Sequence, residues 1–577
     1  MAERKTIAVE SVAEAYLTLL AERGIEYLFA NGGTDFAPVN EALAAIAAKG
    51  VSPRLKVITV AHENVAVAMA HGYYLMTGRP QMVMFHVNVG TANGINALAD
   101  AARDHVPLIF TAGRNPLTEW GMKGSRDTGI HWSQEMFDQA GMVRELCKWD
   151  YELRNGEQLE AVIDRAIEIA TSEPCGPVYL SLPREVMSAR MANFSYSATP
   201  RRAYGTVPGP TPDQIARAAD ILASSERPLI FARGNARVAA NATALADFCA
   251  RFAVPLVEYR SQANSLPGDH AMLLGYDPMP HMKEADAILV IDTDVPWMPS
   301  VHGNPADGCM VIHIGVDPLF SRLPIRSFPC DVAVTGPARV VLPQIAAALG
   351  DRIAQPVLAA RRAKVKAQRE RTHQGVEANL ARVRALSPMN PAWASHCIAQ
   401  AKDDDTIVVN EYSLILSHAP FAKARTMLGT PTAGGLGWGV GAALGAKLAA
   451  PDRTVIATLG DGAYMFGNPT AGHQVARTQG LPVLFIVFNN SMWEEVEGSS
   501  LRVFPDGHAA RSNRMPVGSL GPTARYEHMM AIYGGYGECV ETPEALPAAL
   551  ERALHAVRVE KRQALLNLIV GPRGGAP

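Results

Sequence analysis

Short apolar runs alternate with longer helical patterns along most of the chain, and this alternation limits the folds that it can adopt. Runs of this length and composition are typical of strands that are buried on both faces of a parallel sheet. They fall into three groups, which comprise residues 57–60, 81–87 and 107–112, then 228–232, 287–291 and 310–314, and finally 406–410, 454–459, 482–488 and 563–570. The pattern predicts an α/β protein with three doubly wound parallel-sheet domains.

The length of the chain agrees with this division, because 577 residues exceed what one hydrophobic core serves. We predict an N-terminal domain over residues 1–195, a central Rossmann-like domain over 205–350 and a C-terminal domain over 385–577. Residues 198–212 are rich in Pro, Gly and Arg and are predicted to link the first two domains, with a capping box at Thr211 and Gln214 starting the next helix. Residues 351–386 are charged and helix-prone, which favours a solvated connector helix over a phosphate-binding role.

Charge and composition narrow the classes of function. A formal net charge of -3 and a pI near 6.6 provide no basic face for nucleic acid or an anionic membrane. The seven cysteines are odd in number and far apart, which indicates reduced thiols rather than zinc ligands or disulfides. The N-terminus lacks the features of a secretory signal, and no apolar run is long enough to span a bilayer. We therefore expect a cytoplasmic protein that acts on small molecules.

Two polar motifs follow neighbouring strands of the third group. The strand at 454–459 runs into Gly460-Asp461-Gly462, and the strand at 482–488 runs into Asn489-Asn490. Ligands bind at the carboxyl ends of parallel strands, so Asp461 and Asn490 are expected to converge on one ion. Hard oxygen ligands suit Mg²⁺, which often binds through a diphosphate. A lone Gly-Asp-Gly is usually an ordinary turn, but its combination with the Asn pair argues against that interpretation.

This combination resembles the signature of thiamine-diphosphate-dependent enzymes. The resemblance implies a Mg²⁺ site made of Asp461, Asn490 and the main-chain carbonyl of Met492. It also implies that Gly434 and Leu436 receive the aminopyrimidine, with Leu436 supporting the bent form of the cofactor; a helix that packs on these glycines is the alternative. The remaining residues predicted to bind the cofactor are Glu63, Glu411, Ser413, Gly460, Gly462 and Ala463.

Glu63 follows the strand at 57–60 and stands where this family has its catalytic glutamate. A carboxylate that is hydrogen-bonded to ring nitrogen N1′ favours the imino tautomer of the aminopyrimidine, which lets the cofactor lose its C2 proton. A glutamate in the first turn of a helix is otherwise a residue that complements the helix dipole. The family builds each active site between two subunits, which implies a homodimer or homotetramer in which Glu63 and Asp461 meet across the interface.

The central domain resembles the family less closely. Some relatives bind FAD there, but the loop Arg233-Gly234-Asn235 after the strand at 228–232 lacks the full glycine fingerprint of a dinucleotide site. FAD is therefore an alternative that the sequence does not favour. The same absence of a fingerprint argues against a nicotinamide-dependent oxidoreductase.

The substrate side combines features of several subfamilies. Thr34 and His86 stand where benzoylformate decarboxylase resembles this chain, and offer a hydroxyl and an imidazole for a carboxylate and for proton transfer. Gln134 matches a glutamine of acetolactate synthases and benzaldehyde lyase, whereas Ser499 replaces the tryptophan with which acetolactate synthases select their substrate. A general acid is expected at Glu494 or Glu495, with Glu495 the predicted residue and solvation on the helix surface the alternative. Residues 499–513 are predicted to form a mobile lid.

The predicted activity is that of a thiamine-diphosphate- and Mg²⁺-dependent 2-oxoacid decarboxylase or carboligase similar to benzoylformate decarboxylase. An acetolactate synthase-like ligase with FAD and a 2-hydroxy ketone lyase are the alternatives within the family. A non-catalytic scaffold is a further alternative, against which the intact Glu63 argues. The substrate is expected to be a small 2-oxo acid, hydroxy ketone or aldehyde, and the acyl donor and acceptor stay open.

Overall fold

The computed structural model describes residues 3–50, 54–199 and 207–571. Part of the predicted linker, residues 200–206, therefore lies outside the described residues. The chain forms two compact units, of which the first comprises Met1–Thr206, Pro431–Pro451 and Gly467–Gln479, and the second comprises Val207–Thr430, Asp452–Phe466 and Gly480–Pro577. In the described part of the chain, no helix has the length and apolar character that crossing a membrane requires. All seven cysteines lie in the described ranges and form no disulfide bonds there.

The first sheet has six parallel strands in the order β3-β2-β4-β5-β7-β6, and a separate antiparallel ribbon joins β1 to β8. Its apolar core includes Tyr16, Leu28 and Ile109, which are buried between the sheet and its helices. The strands are β1 (Arg4–Ala8), β2 (Tyr27–Asn31), β3 (Lys56–Thr59), β4 (Gln81–Phe85), β5 (Leu108–Arg114), β6 (Asp150–Glu152), β7 (Val178–Pro183) and β8 (Asn193–Ser197). The helices are α1 (Val12–Glu22), α2 (Ala37–Ala48), α3 (Glu63–Thr77), α4 (Val87–Arg103), α5 (Ile130–Ser133), α6 (Leu159–Thr171) and α7 (Arg184–Ser188).

The middle sheet also has six parallel strands, in the order β11-β10-β9-β12-β13-β14. The strands are β9 (Pro228–Ala232), β10 (Leu256–Val257), β11 (Leu273–Gly275), β12 (Ala287–Ile291), β13 (Met310–Gly315) and β14 (Val332–Thr335). The helices are α8 (Pro212–Ser224), α9 (Ala239–Phe252), α10 (Met279–Met282), α11 (Pro299–His302), α12 (Ala338–Leu349) and α13 (Gln355–Val383). The predicted capping box at Thr211 and Gln214 is confirmed, since the side-chain oxygen of each accepts from the main-chain amide of the other.

The charged helix α13 is less solvated than predicted. Arg361 is buried and donates to the carbonyls of Phe252 at 2.9 Å and Leu222 at 3.2 Å. Arg369 donates to the carbonyls of His270 and Leu273 at 2.6 Å each. Guanidinium groups satisfy main-chain carbonyls left over at helix ends and loops, so part of the basic face of α13 fastens this helix to the middle domain.

The third sheet has six parallel strands in the order β16-β15-β17-β18-β20-β19. The strands are β15 (Ile407–Glu411), β16 (Met427–Gly429), β17 (Val455–Gly460), β18 (Leu484–Asn489), β19 (Tyr536–Val540) and β20 (Ala564–Ile569). The helices that follow along the chain are α14 (Pro391–Ala401), α15 (Trp438–Ala449), α16 (Asp461–Phe466), α17 (Pro469–Thr478), α18 (Glu494–Val503), α19 (His508–Ser512), α20 (Met529–Tyr533) and α21 (Leu546–Arg558). Three six-stranded parallel sheets confirm the predicted fold class.

Helices α3 and α15, both in the first unit, pack closely through small residues. A methyl group on Gly445 would lie 2.0 Å from the Met69 carbonyl oxygen, and one on Gly72 would lie 2.2 Å from that of Ala442. Two backbones approach this closely only where glycine leaves space.

We expect Gly445→Ala to destabilise the first unit by about 1–3 kcal/mol, because the added methyl group must push two backbones apart. Denaturant-induced unfolding followed by circular dichroism measures the loss. Gly375→Ala is the control, since no described atom lies within 4 Å of its added methyl group and alanine favours a helix. Equal effects of the two substitutions would contradict this account of the helix pair.

Candidate active site

Glu63 begins α3, and two amides hold its carboxylate. His62 caps the helix by accepting from the Asn64 amide at 3.2 Å. Asn31, at the end of β2, donates to Oε1 at 2.9 Å, and Asn93 on α4 donates to Oε2 at 3.2 Å. Both partners are uncharged, so the carboxylate is oriented at the carboxyl edge of the first sheet without being neutralised by an ion pair.

The segment that contains Gly434 and Leu436 docks on α4 of the same unit. Asp100 accepts from the Gly435 amide at 2.9 Å, and Asn96 donates to the Leu436 carbonyl at 3.1 Å. Asn96 also donates to the side chain of Asn64, the residue after Glu63, at 3.0 Å. One asparagine therefore connects the segment predicted to receive the aminopyrimidine with the helix that carries Glu63.

Asp461 and Asn490 lie at the ends of the paired strands β17 and β18, as predicted. Asp461 is 2 % exposed and accepts from the amides of Gly462 at 2.9 Å and Ser491 at 2.7 Å. The Asn490 side chain accepts from the Met492 amide at 3.0 Å, which folds the loop back on itself. The Ser491 amide thus holds Asp461 against the short turn that contains Asn490 and Met492.

The donor set of this turn fits a hard cation. Burial raises the pKa of Asp461 to about 6; the amides of Gly462 and Ser491 lower it and the charge of Glu494 raises it, and none of these groups is a cation. A buried carboxylate without a cationic partner is costly, and a bound Mg²⁺ would remove that cost. Within the described ranges, no group of three His, Cys, Asp or Glu residues could form a metal site of another kind. The predicted ligands, Asp461, the Asn490 amide oxygen and the Met492 carbonyl, would offer the oxygen atoms that Mg²⁺ prefers.

The remaining predicted cofactor residues surround this turn or lie at the end of β15. Ala463 is buried in the first turn of α16, and a side chain on Gly462 would collide with the ring of Trp493 at 2.4 Å. Glycine is thus required at position 462, because the Trp493 ring leaves no room for a side chain there. Glu411 is fully buried, and the Ser413 hydroxyl donates to the Glu411 carbonyl at 3.1 Å.

The structure distinguishes the two glutamates that follow the metal loop. Glu494 accepts from the Asn490 side chain at 3.2 Å, which brings its carboxylate next to the predicted metal ligands. The side chain of Glu495 is 75 % exposed and lies 3.8 Å from Arg502. As the candidate general acid, Glu494 therefore fits this geometry better than the predicted Glu495. The predicted lid at 499–513 includes the end of α18 and the short helix α19.

On the substrate side, the structure brings Thr34, His86 and Gln134 together and adds two residues that the sequence did not indicate. Asp35 accepts from His86 Nδ1 at 2.5 Å, and Gln134 lies 3.4 Å from His86 Nε2. His131, one turn before Gln134 on α5, lies 3.0 Å from the Thr34 hydroxyl. Neither Asp35 nor His131 stands in a motif, and only the folded chain shows that they belong to this cluster.

The environments of the two histidines shift their pKa values in opposite directions. The hydrogen bond that His86 donates to Asp35 raises the pKa of His86, although burial acts in the opposite direction. Burial and the nearby Arg184 lower the pKa of His131. His131 Nδ1 accepts from the Asp127 amide at 3.3 Å, so that its Nε2 carries the proton and donates to Thr34. A histidine whose charged form is stabilised thus lies near one whose neutral form is stabilised.

The neutral state of His131 predicts a pH-dependent stability. The folded protein lowers the pKa of His131 below its ordinary value of 6.5. The contribution of neutral His131 to the free energy of unfolding is therefore present above pH 6.5 and is lost as the pH falls through the folded-state pKa. We expect the melting temperature of the parent to exceed that of His131→Gln at pH 7, and the difference to narrow at pH 5. Scanning calorimetry at both pH values measures this, and a difference that widens at pH 5 would contradict the assignment.

Comparisons with known proteins identify the family of this chain. Three family models match the chain: "Thiamine pyrophosphate enzyme, N-terminal TPP binding domain" over residues 10–142, the central domain of the same enzymes over 215–345, and their C-terminal TPP binding domain over 411–567. The chain belongs to the thiamine-diphosphate-dependent enzymes, within the group that contains acetolactate synthases and 2-oxoacid decarboxylases. Thiamine diphosphate is the cofactor for which its two outer domains are built.

Individual relatives have different reactions. The chain is 24 % identical to the acetolactate synthase isozyme 3 large subunit of Escherichia coli, over 95 % of this chain and 93 % of that protein. It is 27 % identical to a probable 2-ketoarginine decarboxylase of Pseudomonas aeruginosa, over 96 % and 93 %. The structure of a thiamine-diphosphate-dependent 4-hydroxybenzoylformate decarboxylase from Rhodococcus jostii superimposes with a TM-score of 0.76 at 22 % identity, over 97 % of this chain and 99 % of that one. This likeness confirms the fold.

Proposed function

We propose that this protein is a thiamine-diphosphate- and Mg²⁺-dependent decarboxylase of 2-oxo acids that can also join the resulting acyl group to a second carbonyl compound. The observation that carries the proposal is the buried Asp461 carboxylate, which lies beside Asn490 at adjacent strand ends and receives only amide hydrogen bonds. A magnesium-diphosphate group is the ligand that this donor set suits.

Glu63 would act on the aminopyrimidine ring. Its carboxylate is held from two sides by Asn31 and Asn93, so it is prepared to bind a ring N–H without reorganising. When bound, thiamine diphosphate supplies a carbon nucleophile and an electron sink. The task of Glu63 is to keep the ring in the tautomer that this chemistry needs.

His86 and Thr34 would recognise the carboxylate of the substrate. The hydrogen bond to Asp35 raises the pKa of His86, and the Thr34 hydroxyl accepts from His131, so its own proton is available to a ligand. An imidazole whose charged form is stabilised, next to a neutral hydroxyl, suits a 2-oxo acid, in which a carboxylate adjoins a ketone. His86 can also return a proton to the carbon from which carbon dioxide has left.

Two other activities within the family are the alternatives. An acetolactate synthase-like ligase is favoured by the Escherichia coli relative and by Gln134, and FAD in the middle domain would accompany it. A 2-hydroxy ketone lyase would use the same residues in reverse. Flavin absorbance in the purified protein would favour the ligase, and cleavage of benzoin without carbon dioxide release would favour the lyase.

The proposal also covers the oligomeric state and the domain limits. We propose a homodimer or homotetramer with active sites at subunit interfaces, and the domain limits 1–195, 205–350 and 385–577. Several large apolar side chains in the loop before and around α5 are exposed, among them Trp120, Trp132 and Phe137. Exposed apolar patches of this kind commonly mark interfaces.

A panel of 2-oxo acids tests the proposed reaction. The reconstituted protein is incubated with pyruvate, benzoylformate, 4-hydroxybenzoylformate and 2-ketoarginine, and carbon dioxide and organic products are measured. Carbon dioxide with an aldehyde indicates a decarboxylase, and carbon dioxide with a hydroxy ketone or acetohydroxy acid indicates a carboligase. Binding of the cofactor without turnover of any 2-oxo acid or hydroxy ketone would contradict the proposed function.

A further inference from the structure

Asp35 is buried directly behind His86. Its side chain is 2 % exposed, whereas that of His86 is 17 % exposed. One carboxylate oxygen accepts from His86 Nδ1 at 2.5 Å, and the other lies 3.4 Å from the Val87 amide. The carboxylate therefore contacts both the imidazole and the first residue of α4, and only the imidazole is open to a ligand.

Two glycines leave the space that this pair occupies. A methyl group on Gly33 would lie 2.2 Å from His86 Nδ1, and one on Gly113 of β5 would lie 1.7 Å from Asp35 Oδ2. Any larger residue at either position would displace the carboxylate or the imidazole. Glycines at two separate places in the chain thus leave room for the contact between Asp35 and His86.

The backbone at the same place is strained. Val87 has a φ of +32°, which a β-branched residue seldom adopts. Such strain persists only where surrounding contacts hold it and is concentrated at functional sites. The Asp35 contact with the Val87 amide is one such contact, and it fixes the direction in which the His86 side chain leaves the backbone.

The opposite nitrogen of His86 faces Gln134. The Gln134 Nε2 atom lies 3.4 Å from His86 Nε2, and Gln134 Oε1 is buried without a hydrogen-bond partner among the described residues. Since the two ends of an amide are exchanged by a half-turn, Gln134 can donate to a neutral imidazole or accept from a charged one. The charged or ionisable groups that act on this pair are Asp35 itself, Glu63 on α3 and His131 on α5.

We propose that Asp35 is a positioning residue that acts through His86. By holding the proton on Nδ1, it fixes the tautomer and directs Nε2 to the site, where His86 meets the carboxylate of a 2-oxo acid and transfers a proton. Asp35 itself touches no substrate. The role in the reaction rests on the proposed function, whereas the pairing with His86 does not depend on it.

The pairing is tested by NMR on full-length protein with ¹³C-labelled histidine, without cofactor or substrate. The signal of His86 is assigned by its absence in His86→Gln and is followed with pH in the parent and in Asp35→Asn, which is nearly isosteric. We expect the signal to titrate above the ordinary 6.5 in the parent and at lower pH in the variant. Unchanged titration in Asp35→Asn would overturn the proposal.

The role in the reaction is tested by a double-mutant cycle. We expect Asp35→Asn to lower kcat/KM for the best 2-oxo acid about 10- to 100-fold at pH 7 and to shift the pH profile, with thiamine diphosphate affinity unchanged. In a His86→Gln background, Asp35→Asn should have no further effect, because its partner is gone. Additive losses would show a role independent of His86 and overturn the proposal. If the parent turned over no 2-oxo acid, the proposed function would fail, and the NMR titration would still decide the pairing.

Discussion

Replacing Glu63 with glutamine is expected to lower kcat by about 10²- to 10⁴-fold, the range that a positioned acid or base contributes. Glutamine keeps the size and can still accept from one of the two asparagines, but its NH2 end cannot accept from the other, and it lacks the charge that the aminopyrimidine ring requires. Binding of thiamine diphosphate should change little, because the diphosphate and its metal supply most of the contacts. Steady-state kinetics and calorimetric binding separate the two effects.

The matched control is Glu41→Gln, which changes an exposed glutamate on α2. It should leave both kcat and cofactor binding at the parent values. If Glu63→Gln kept full activity, Glu63 would be only a first-turn residue of α3, and the assignment of the first domain to ring activation would be wrong.

Replacing Asp461 with asparagine is expected to weaken magnesium-dependent binding of thiamine diphosphate by at least about 100-fold. Loss of an outer-shell partner alone costs about 10- to 100-fold in metal affinity, and here the charged ligand itself is removed. Asparagine has almost the same volume, so the metal-free protein should fold normally. Its melting temperature should stay near that of the parent, because the removal of a buried charge offsets the loss of one of the two amide hydrogen bonds that Asp461 accepts.

Equilibrium dialysis with labelled cofactor, with and without Mg²⁺, measures this loss. Asp452→Asn is the control, since Asp452 is exposed and lies on the same unit. An Asp461→Asn variant that bound the cofactor as the parent does would place the diphosphate elsewhere in the chain.

The predictable part of the fold was the part with a continuous apolar signal. The central strands β9, β12 and β18 are buried along their lengths, and their sequences are apolar except for the final Asn489 of β18. The edge strands β6, β14 and β19 are short and partly exposed, so their composition does not distinguish them from loops. This explains why these three strands were not predicted. β7 and β16 are buried along their lengths and were also not predicted.

The same contrast holds for the site. Asp461 and Asn490 could be predicted because each directly follows a buried strand, and the order of strands in a parallel sheet brings such ends together. Asp35 and His131 could not, because β2 and the loop at 115–129 bring them to His86 and Thr34 from separate places in the chain. Glu494 and Glu495 differ only in the direction in which the first turn of α18 points, which no local pattern determines.

The most direct test of the account is a calorimetric titration of the metal-stripped full-length protein with thiamine diphosphate, with and without Mg²⁺. The account predicts saturable binding at one site per chain that needs the metal, and carbon dioxide release from a 2-oxo acid by the complex so formed. A folded, oligomeric protein that bound no thiamine diphosphate in the presence of Mg²⁺ would contradict it.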